Sequence, residues 1–297
     1  MGVAREDERV LMAISQDYQI EVVDGADTLL LGPGTDYIIH NLEGLGLPEL
    51  RTDDAARPSD HGVFPSRDFL ADRKVTVTGT ARGDSASDVT ANLDALMALW
   101  QPVYSDAADV VHLAYRLPGQ VARLVKGRPR RANIESNRII GNRASFVLEF
   151  TAVDPRIYAA TESTDSTTIA AAAGGRQYDR TYNVTYGASA GGFLVLTNDG
   201  NFPSRPFATI TGPASNPRIE NVTTGQTMRL ALTVAAGDFV EVDFDARTIM
   251  LNGTASRYSS LTAASEWWEL APGNTEVRFR ADDTGGELDI SWRSAWL

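Results

Sequence analysis

Phe239-Val240-Glu241-Val242-Asp243-Phe244 alternates apolar and acidic side chains. A period of two is the mark of a β-strand with one buried face, here with Val240, Val242 and Phe244 inward and Glu241, Asp243 and Asp245 outward. Gly237-Asp238 precedes this run, and Asn252-Gly253 follows the next one at 248–251. Both dipeptides supply hairpin turns. Working outward, short β runs recur at 193–197, 207–211, 228–234, 277–280 and 288–292. Asn198-Asp199-Gly200, Gly212-Pro213, Pro272-Gly273 and Gly285-Gly286 separate them. Regular short strands with almost no helical period predict an antiparallel β-sandwich over 191–297.

The first half reads as α+β within a mainly β protein. Tyr18 to Val23, Tyr37 to Leu42 and Arg73 to Thr80 are strand-like, and two long β runs fall near 109–133 and 143–153. Residues 44–68 carry Gly44, Gly46, Pro48, Pro58, Gly62 and Pro65 and are expected as loop. Val89, Leu93, Leu96, Met97 and Trp100 recur at helical spacing, which predicts one helix over 87–100. Asp84 and Asp88 suit its start, and Pro102 its end. Thr161 to Gly175 turns Thr/Ser/Ala-rich and ends in Ala170-Ala171-Ala172-Ala173-Gly174-Gly175. The organisation expected is an N-terminal domain at 1–157, a linker at 158–190 and a C-terminal domain at 191–297.

Composition removes whole classes of chemistry. The 297 residues include no cysteine, so disulfides, thiolate zinc sites and cysteine nucleophiles are excluded. The three histidines, His40, His61 and His112, all lie in the first 112 residues. A net charge of −12 argues against a dedicated nucleic-acid binder. No stretch approaches the ~20 apolar residues of a membrane span, and the acidic start does not resemble a secretory leader. A chain made in the cytoplasm and staying soluble is expected.

Each motif that suggests chemistry has a plainer reading. Gly187-Ala188-Ser189-Ala190-Gly191 spells a nucleophile elbow, but no histidine follows to act as its base. Asp283-Thr284-Gly285 suits a hairpin turn, and Arg82-Gly83-Asp84 a turn before a helix. Glu241, Asp243 and Asp245 read as a solvated strand face. Asn216-Pro217-Arg218 matches part of a galectin sugar motif, but Ala214 stands where that motif has histidine. Trp267-Trp268 is a candidate sugar platform, with one indole out and the other in if the pair lies on a strand. No catalytic, metal or cofactor constellation emerges, and a non-enzyme without cofactor is expected.

Several segments together resemble one family. Leu42-Glu43-Gly44-Leu45-Gly46-Leu47-Pro48 and Val153-Asp154-Pro155-Arg156-Ile157-Tyr158 are similar to the N-terminal domain of the siphophage distal tail proteins. Gly175 to Tyr182 resembles the linker of their actinobacterial phage members. Ala236-Gly237-Asp238, Val242-Asp243-Phe244, Asn252-Gly253, Trp268-Glu269-Leu270 and Pro272-Gly273-Asn274 follow each other as in their galectin-like C-terminal domain. The resemblance implies a tail-tube-like β-sandwich or barrel with one helix, then a galectin-like β-sandwich. It implies a ring of six subunits at the tail tip of the virion, with the tail-tube protein above, a tail-tip protein below and a receptor-binding protein as a further partner. DNA would pass through without specific binding, repelled by acidic walls, and no membrane is involved. The rival readings are a surface lectin or adhesin using the C-terminal sandwich, a tail-tube subunit and a cell-wall hydrolase.

One basic island stands in this acidic chain. Arg116, Arg123, Lys126, Arg128, Arg130, Arg131, Arg138 and Arg143 face a single acid, Glu135, between positions 116 and 143. Gly127-Arg128-Pro129 is expected to break the strand and expose a loop or hairpin tip. Arg123, Lys126, Arg128, Arg130 and Arg131 are then candidates for an arm lying on the acidic surface of a neighbouring subunit. Phosphate contact and plain solvated charge on an edge strand are the alternatives.

Overall fold

The computed structural model describes residues 14–25, 27–101, 110–135, 139–169, 192–283 and 285–297. The chain divides into an N-terminal unit ending at Thr161 and a C-terminal unit from Glu162 to Trp296.

The N-terminal unit is built on one antiparallel sheet. Its strands are β1 (Ile20–Asp24), β2 (Asp27–Leu31), β3 (Tyr37–Glu43), β8 (Arg73–Arg82), β9 (Val111–Tyr115), β10 (Arg123–Ile134) and β11 (Arg143–Ala152). Their order is β2-β1-β9-β10-β11-β8-β3. The short β12 (Ile157–Ala159) pairs with β10 at Arg123 and Leu124. Among the described residues no ladder joins β2 to β3, so the sheet stays open and the expected barrel is not closed.

Alternation fixes which face is dry. On β8, Val75, Val77 and Ala81 are buried while Thr76, Thr78 and Thr80 are half-buried. The helix α1 (Ala86–Leu99) packs against β8, β2 and β11 through Val89, Leu93 and Leu96. Trp100 at its C-cap meets Phe150 at 6.1 Å between ring centroids. Burying a side chain of this size contributes about 1.5–3 kcal/mol. The cap is Ser85: its hydroxyl accepts from the Asp88 N–H, and the Asp88 carboxylate accepts from the Ser85 N–H. Two orphan donors are thereby satisfied, with Asp84 outside the capping box. Met97, expected on the apolar stripe, is 41% exposed, because the helix offers the sheet a narrower face than the stripe suggests.

Residues 44–72 are not plain loop. β4 (Leu50–Arg51) pairs with β7 (Phe69–Leu70), and inside that ladder β5 (Ala55–Ala56) pairs with β6 (Val63–Phe64). The Gly and Pro residues set the turns correctly, but they do not reveal that the flanks pair into an arm.

The C-terminal unit is a two-sheet sandwich. The strands are β13 (Ser163–Thr168), β14 (Phe193–Asn198), β15 (Phe207–Thr211), β16 (Ala214–Ser215), β17 (Arg218–Asn221), β18 (Gln226–Arg229), β19 (Thr233–Val234), β20 (Phe239–Asp243), β21 (Thr248–Leu251), β22 (Ala255–Ser256), β23 (Gly273–Arg280) and β24 (Glu287–Trp292). One sheet runs β13-β24-β15-β20-β21-β22 and the other β14-β23-β17-β18, with β16 and β19 as a separate pair. Register lines Ile290, Ala208, Val242 and Ile249 up across four strands. Leu194 faces Val277, and Phe279, Ile219 and Met228 line up likewise in the other sheet. These residues form the buried core. The strand β13 falls where a linker was expected: all six of its residues pair with β24. Its composition, Ser-Thr-Asp-Ser-Thr-Thr, hides it because an exposed edge strand needs no apolar face.

Candidate interaction surfaces

The arm is the most exposed part of the N-terminal unit. Leu47, Leu50, Val63, Phe64 and Phe69 lie open to solvent, with Phe64 55% exposed. Arg57 sits over the Phe64 ring at 5.2 Å, and Arg67 over Phe69 at 5.3 Å. The arm's base is held by Arg73, which is 1% exposed. Its Nε donates to the Pro155 carbonyl at 2.8 Å, and its Nη1 donates to the carbonyls of Gly44 (2.8 Å) and Gly46. Burial lowers the guanidinium's pKa, opposed by the charges of Tyr115 and Asp154. Gly44 has φ +92°, and a Cβ there would stand 1.8 Å from the Lys74 carbonyl, so only glycine fits this close approach.

The basic residues lie on a continuous strand. β10 runs unbroken through Gly127-Arg128-Pro129, with a register shift between Pro129 and Arg131 that leaves Arg130 as the bulged residue. Pro129 is accommodated at that irregularity, so the expected break is a bulge and the expected loop is strand. β10 is interior to the sheet rather than an edge. Arg123, Lys126 and Arg128 are half-buried, whereas Arg130 and Arg131 are exposed. Lys126 sits over the Tyr158 ring at 5.7 Å, and Arg131 pairs with Glu149 at 3.5 Å. Arg138 lies outside the described residues.

In the sandwich the sequence-marked acids separate. β20 ends at Asp243, so Asp245 lies in the following turn. There it takes a hydrogen bond from Arg205 Nη1 at 2.6 Å, while Arg205 Nε donates to Glu269 at 2.8 Å. Burial alone would lower the Arg205 pKa, but the hydrogen bonds and charges of Asp245 and Glu269 outweigh it and hold the guanidinium above its ordinary value. Asp243 instead accepts from the backbone of Asp245 and Ala246.

Trp267 and Trp268 occupy an extended connection rather than a strand. Trp268 is 1% exposed and packs on Phe244 at 4.6 Å. Trp267 is half-buried, stacked with Tyr258 at 6.5 Å and 18° and meeting Phe244 at 85°. One indole is thus enclosed and the other half-buried.

The remaining motifs are structural. Asp283 accepts from the Ser215 N–H at 2.7 Å and its hydroxyl at 2.8 Å, which lowers the Asp283 pKa. Asn216 takes φ +48°, the turn conformation expected of it. The elbow motif at 187–191 lies outside the described residues. Among the described residues no group of three His, Asp or Glu is placed to hold a metal. Sequence reasoning missed Asn198, taken only as a turn residue. It is 1% exposed, its amide donates to the carbonyls of Phe202 and Leu270, and its oxygen accepts from Gly200 and Ala295.

Residues 199–296 match the family model described as the siphovirus-type tail component, C-terminal domain. A search of curated proteins finds no match. Among solved structures, the Dit (gp 19.1) protein of phage SPP1, described as a paradigm of the hub adsorption apparatus in Gram-positive-infecting phages, is similar with a TM-score of 0.63 at 14% identity. That alignment covers 94% of this chain and 99% of the SPP1 chain. Chains of the phage P2 baseplate in its activated conformation, with Ca and with Sr, give TM-scores of 0.53 and 0.52. Each is 11% identical and covers 93% of this chain and 98% of the other.

The solved structures show the fold, and the family match gives residues 199–296 the domain of a siphovirus-type tail component, a structural part of the virion. At 14% identity, the SPP1 Dit protein shows that the chain as a whole shares its fold, with the siphovirus-type tail component domain at residues 199–296.

Proposed function

We propose that copies of this chain close into a ring of about six subunits at the tail tip, joining the tail tube to the tip proteins. The observation that carries this reading is the arm at 44–72. A thin double ladder presenting Leu50, Val63, Phe64 and Phe69 to water gains nothing by itself, since exposed apolar patches mark contact surfaces. Arg73 anchors its base, so the arm is held out rather than left to collapse. A second copy of the chain is the occupant that repeats at every position of a ring. The tube protein would lie above, a tip protein below, and a receptor-binding protein would attach at the rim. The chain is synthesised in the host cytoplasm before assembly. A net charge of −12 suits a passage through which DNA slides without sticking.

Light scattering coupled to gel filtration tests the ring. A mass near six chains is expected, falling to one chain in Phe64→Ser/Phe69→Ser with unchanged circular dichroism. A wild-type monomer at all concentrations, or a double variant that assembles normally, overturns the reading. The two units part between Thr161 and Glu162, so limited proteolysis should leave a stable C-terminal fragment that still holds β13.

A further inference from the structure

The outer faces of the two sandwich sheets carry opposite charge. On β20 and β24 alternation turns Glu241, Asp243, Glu287 and Asp289 outward, because Val240, Val242, Leu288 and Ile290 fill the core. Register places Thr209 of β15 between Asp289 and Glu241. Among the described residues, no lysine or arginine stands on the strands of this face. Partial burial and the Glu287 charge raise the Asp289 pKa, as expected of carboxylates without a counter-ion.

The other sheet presents the converse. Arg229 of β18, Arg218 of β17 and Arg280 of β23 stand directly opposite one another across three strands. Arg278 shares their face, with Glu220 and Glu276 as its acids. Glu220 is divided between Arg218 and Arg280, at 3.3 Å from each. Arg229 has no carboxylate partner among the described residues. Like charges placed directly opposite destabilise a sheet, so this row costs the unit stability unless acid is supplied from outside.

We propose that the row of Arg229, Arg218 and Arg280 in one copy docks on the row of Asp289, Thr209 and Glu241 in the next. The spacing matches. Each row spans two inter-strand steps, about 9.6 Å, so the two end arginines meet the two carboxylates together. Arginine suits such a contact because its planar fork pairs with a carboxylate through two hydrogen bonds. Phe193 and Val195, each nearly half exposed, lie on the arginine face, and the half-buried Phe207 and Phe239 on the acidic one.

The signs also fix the symmetry. Acid repels acid and arginine repels arginine, which disfavours an isologous dimer and leaves a head-to-tail contact, the kind that closes a ring. A face of four strands and about five residues measures roughly 320 Å², against about 800 Å² per partner in a stable complex. The contact is therefore weak by itself and rests on the ring proposed above, which holds neighbouring copies close.

The chain's lack of cysteine supplies the test. Full-length Thr209→Cys/Thr227→Cys is treated with a flexible bis-maleimide that spans the ~10 Å between stacked sheets. Thr227 faces Glu220, beside the arginine row. A covalent ladder rising to about six chains is expected, whereas each single-cysteine chain should stay unlinked because like faces never meet. In the two-cysteine background, Arg229→Glu/Arg280→Glu or Glu241→Arg/Asp289→Arg should cut linking about tenfold with unchanged circular dichroism. Mixing the two reversed variants should restore it. Light scattering on the same samples reports the ring separately. A mass near six chains without a ladder overturns this contact and leaves the ring standing, while a one-chain mass ends both. Linking in a single-cysteine chain, reversed variants that link like the parent, or a mixture that stays unlinked also overturns it.

Discussion

Arg73 Nη1 donates to the Gly44 carbonyl at 2.8 Å, across 29 positions of chain, and thereby ties the arm's first residue to the strand β8 that follows the arm. The same guanidinium reaches the Pro155 carbonyl, 82 positions away. One buried cation therefore defines where the arm leaves the sheet. Arg73→Met should lower the stability of the N-terminal unit by about 3 kcal/mol, since three carbonyls lose their donor. Arg73→Lys should recover little of it, because an ammonium lacks the planar fork that serves several acceptors at once. Urea unfolding followed through Trp100, the unit's own tryptophan, measures both. A loss below about 1 kcal/mol would sink the latch.

Asn198 plays the matching part in the sandwich. It is isosteric with leucine to a first approximation, so Asn198→Leu keeps volume but leaves two carbonyls and two N–H groups without partners. The expected loss is about 3 kcal/mol in the C-terminal unit. Asn198→Asp keeps the acceptors and should cost less. Calorimetry of the two variants ranks them, and equal losses would contradict the hydrogen-bond account.

Glu21 is 3% exposed with Oε2 lacking a partner, and burial raises its pKa. A carboxyl whose folded pKa exceeds its unfolded one binds more protons when folded, so stability falls as pH rises through the unfolded pKa toward the folded one. Glu21→Gln should therefore be more stable than wild type at pH 7. That advantage should shrink to nothing below about pH 4. Thermal unfolding across pH decides, and a constant difference would refute the assignment to Glu21.

Among the five candidate arm residues, Arg130 and Arg131 are the exposed ones. Changing Arg128, Arg130 and Arg131 together to Glu should disperse assembled rings into folded subunits, and high salt should act in the same direction. The Arg131–Glu149 pair is exposed and contributes under about 1 kcal/mol, so its loss cannot explain unfolding. Normal rings from the triple variant would mean that this charge is merely solvated.

The sequence by itself determined whatever depends on near neighbours. The period of two on β20, the turn dipeptides around it, and the helical spacing of Val89, Leu93 and Leu96 each state a local geometry and a buried side. The absence of cysteine and of any histidine after His112 likewise removed the cysteine-nucleophile and serine-elbow readings. β13 escaped because its six polar residues carry no period, and Ser85 because three acids and serines compete for one cap. Tertiary structure alone decided the rest. An arginine, an asparagine and a tryptophan look alike whether solvated or enclosed, and burial is set by what the chain brings over them. The Arg73 carbonyls come from 27 to 82 positions away, and the Leu270 carbonyl of Asn198 from 72. The Arg205 clamp joins residues 40 and 64 apart. No local pattern encodes such meetings, because their energy arises only when desolvation makes each unpaired polar group costly, and that happens only once the sheets have closed over them.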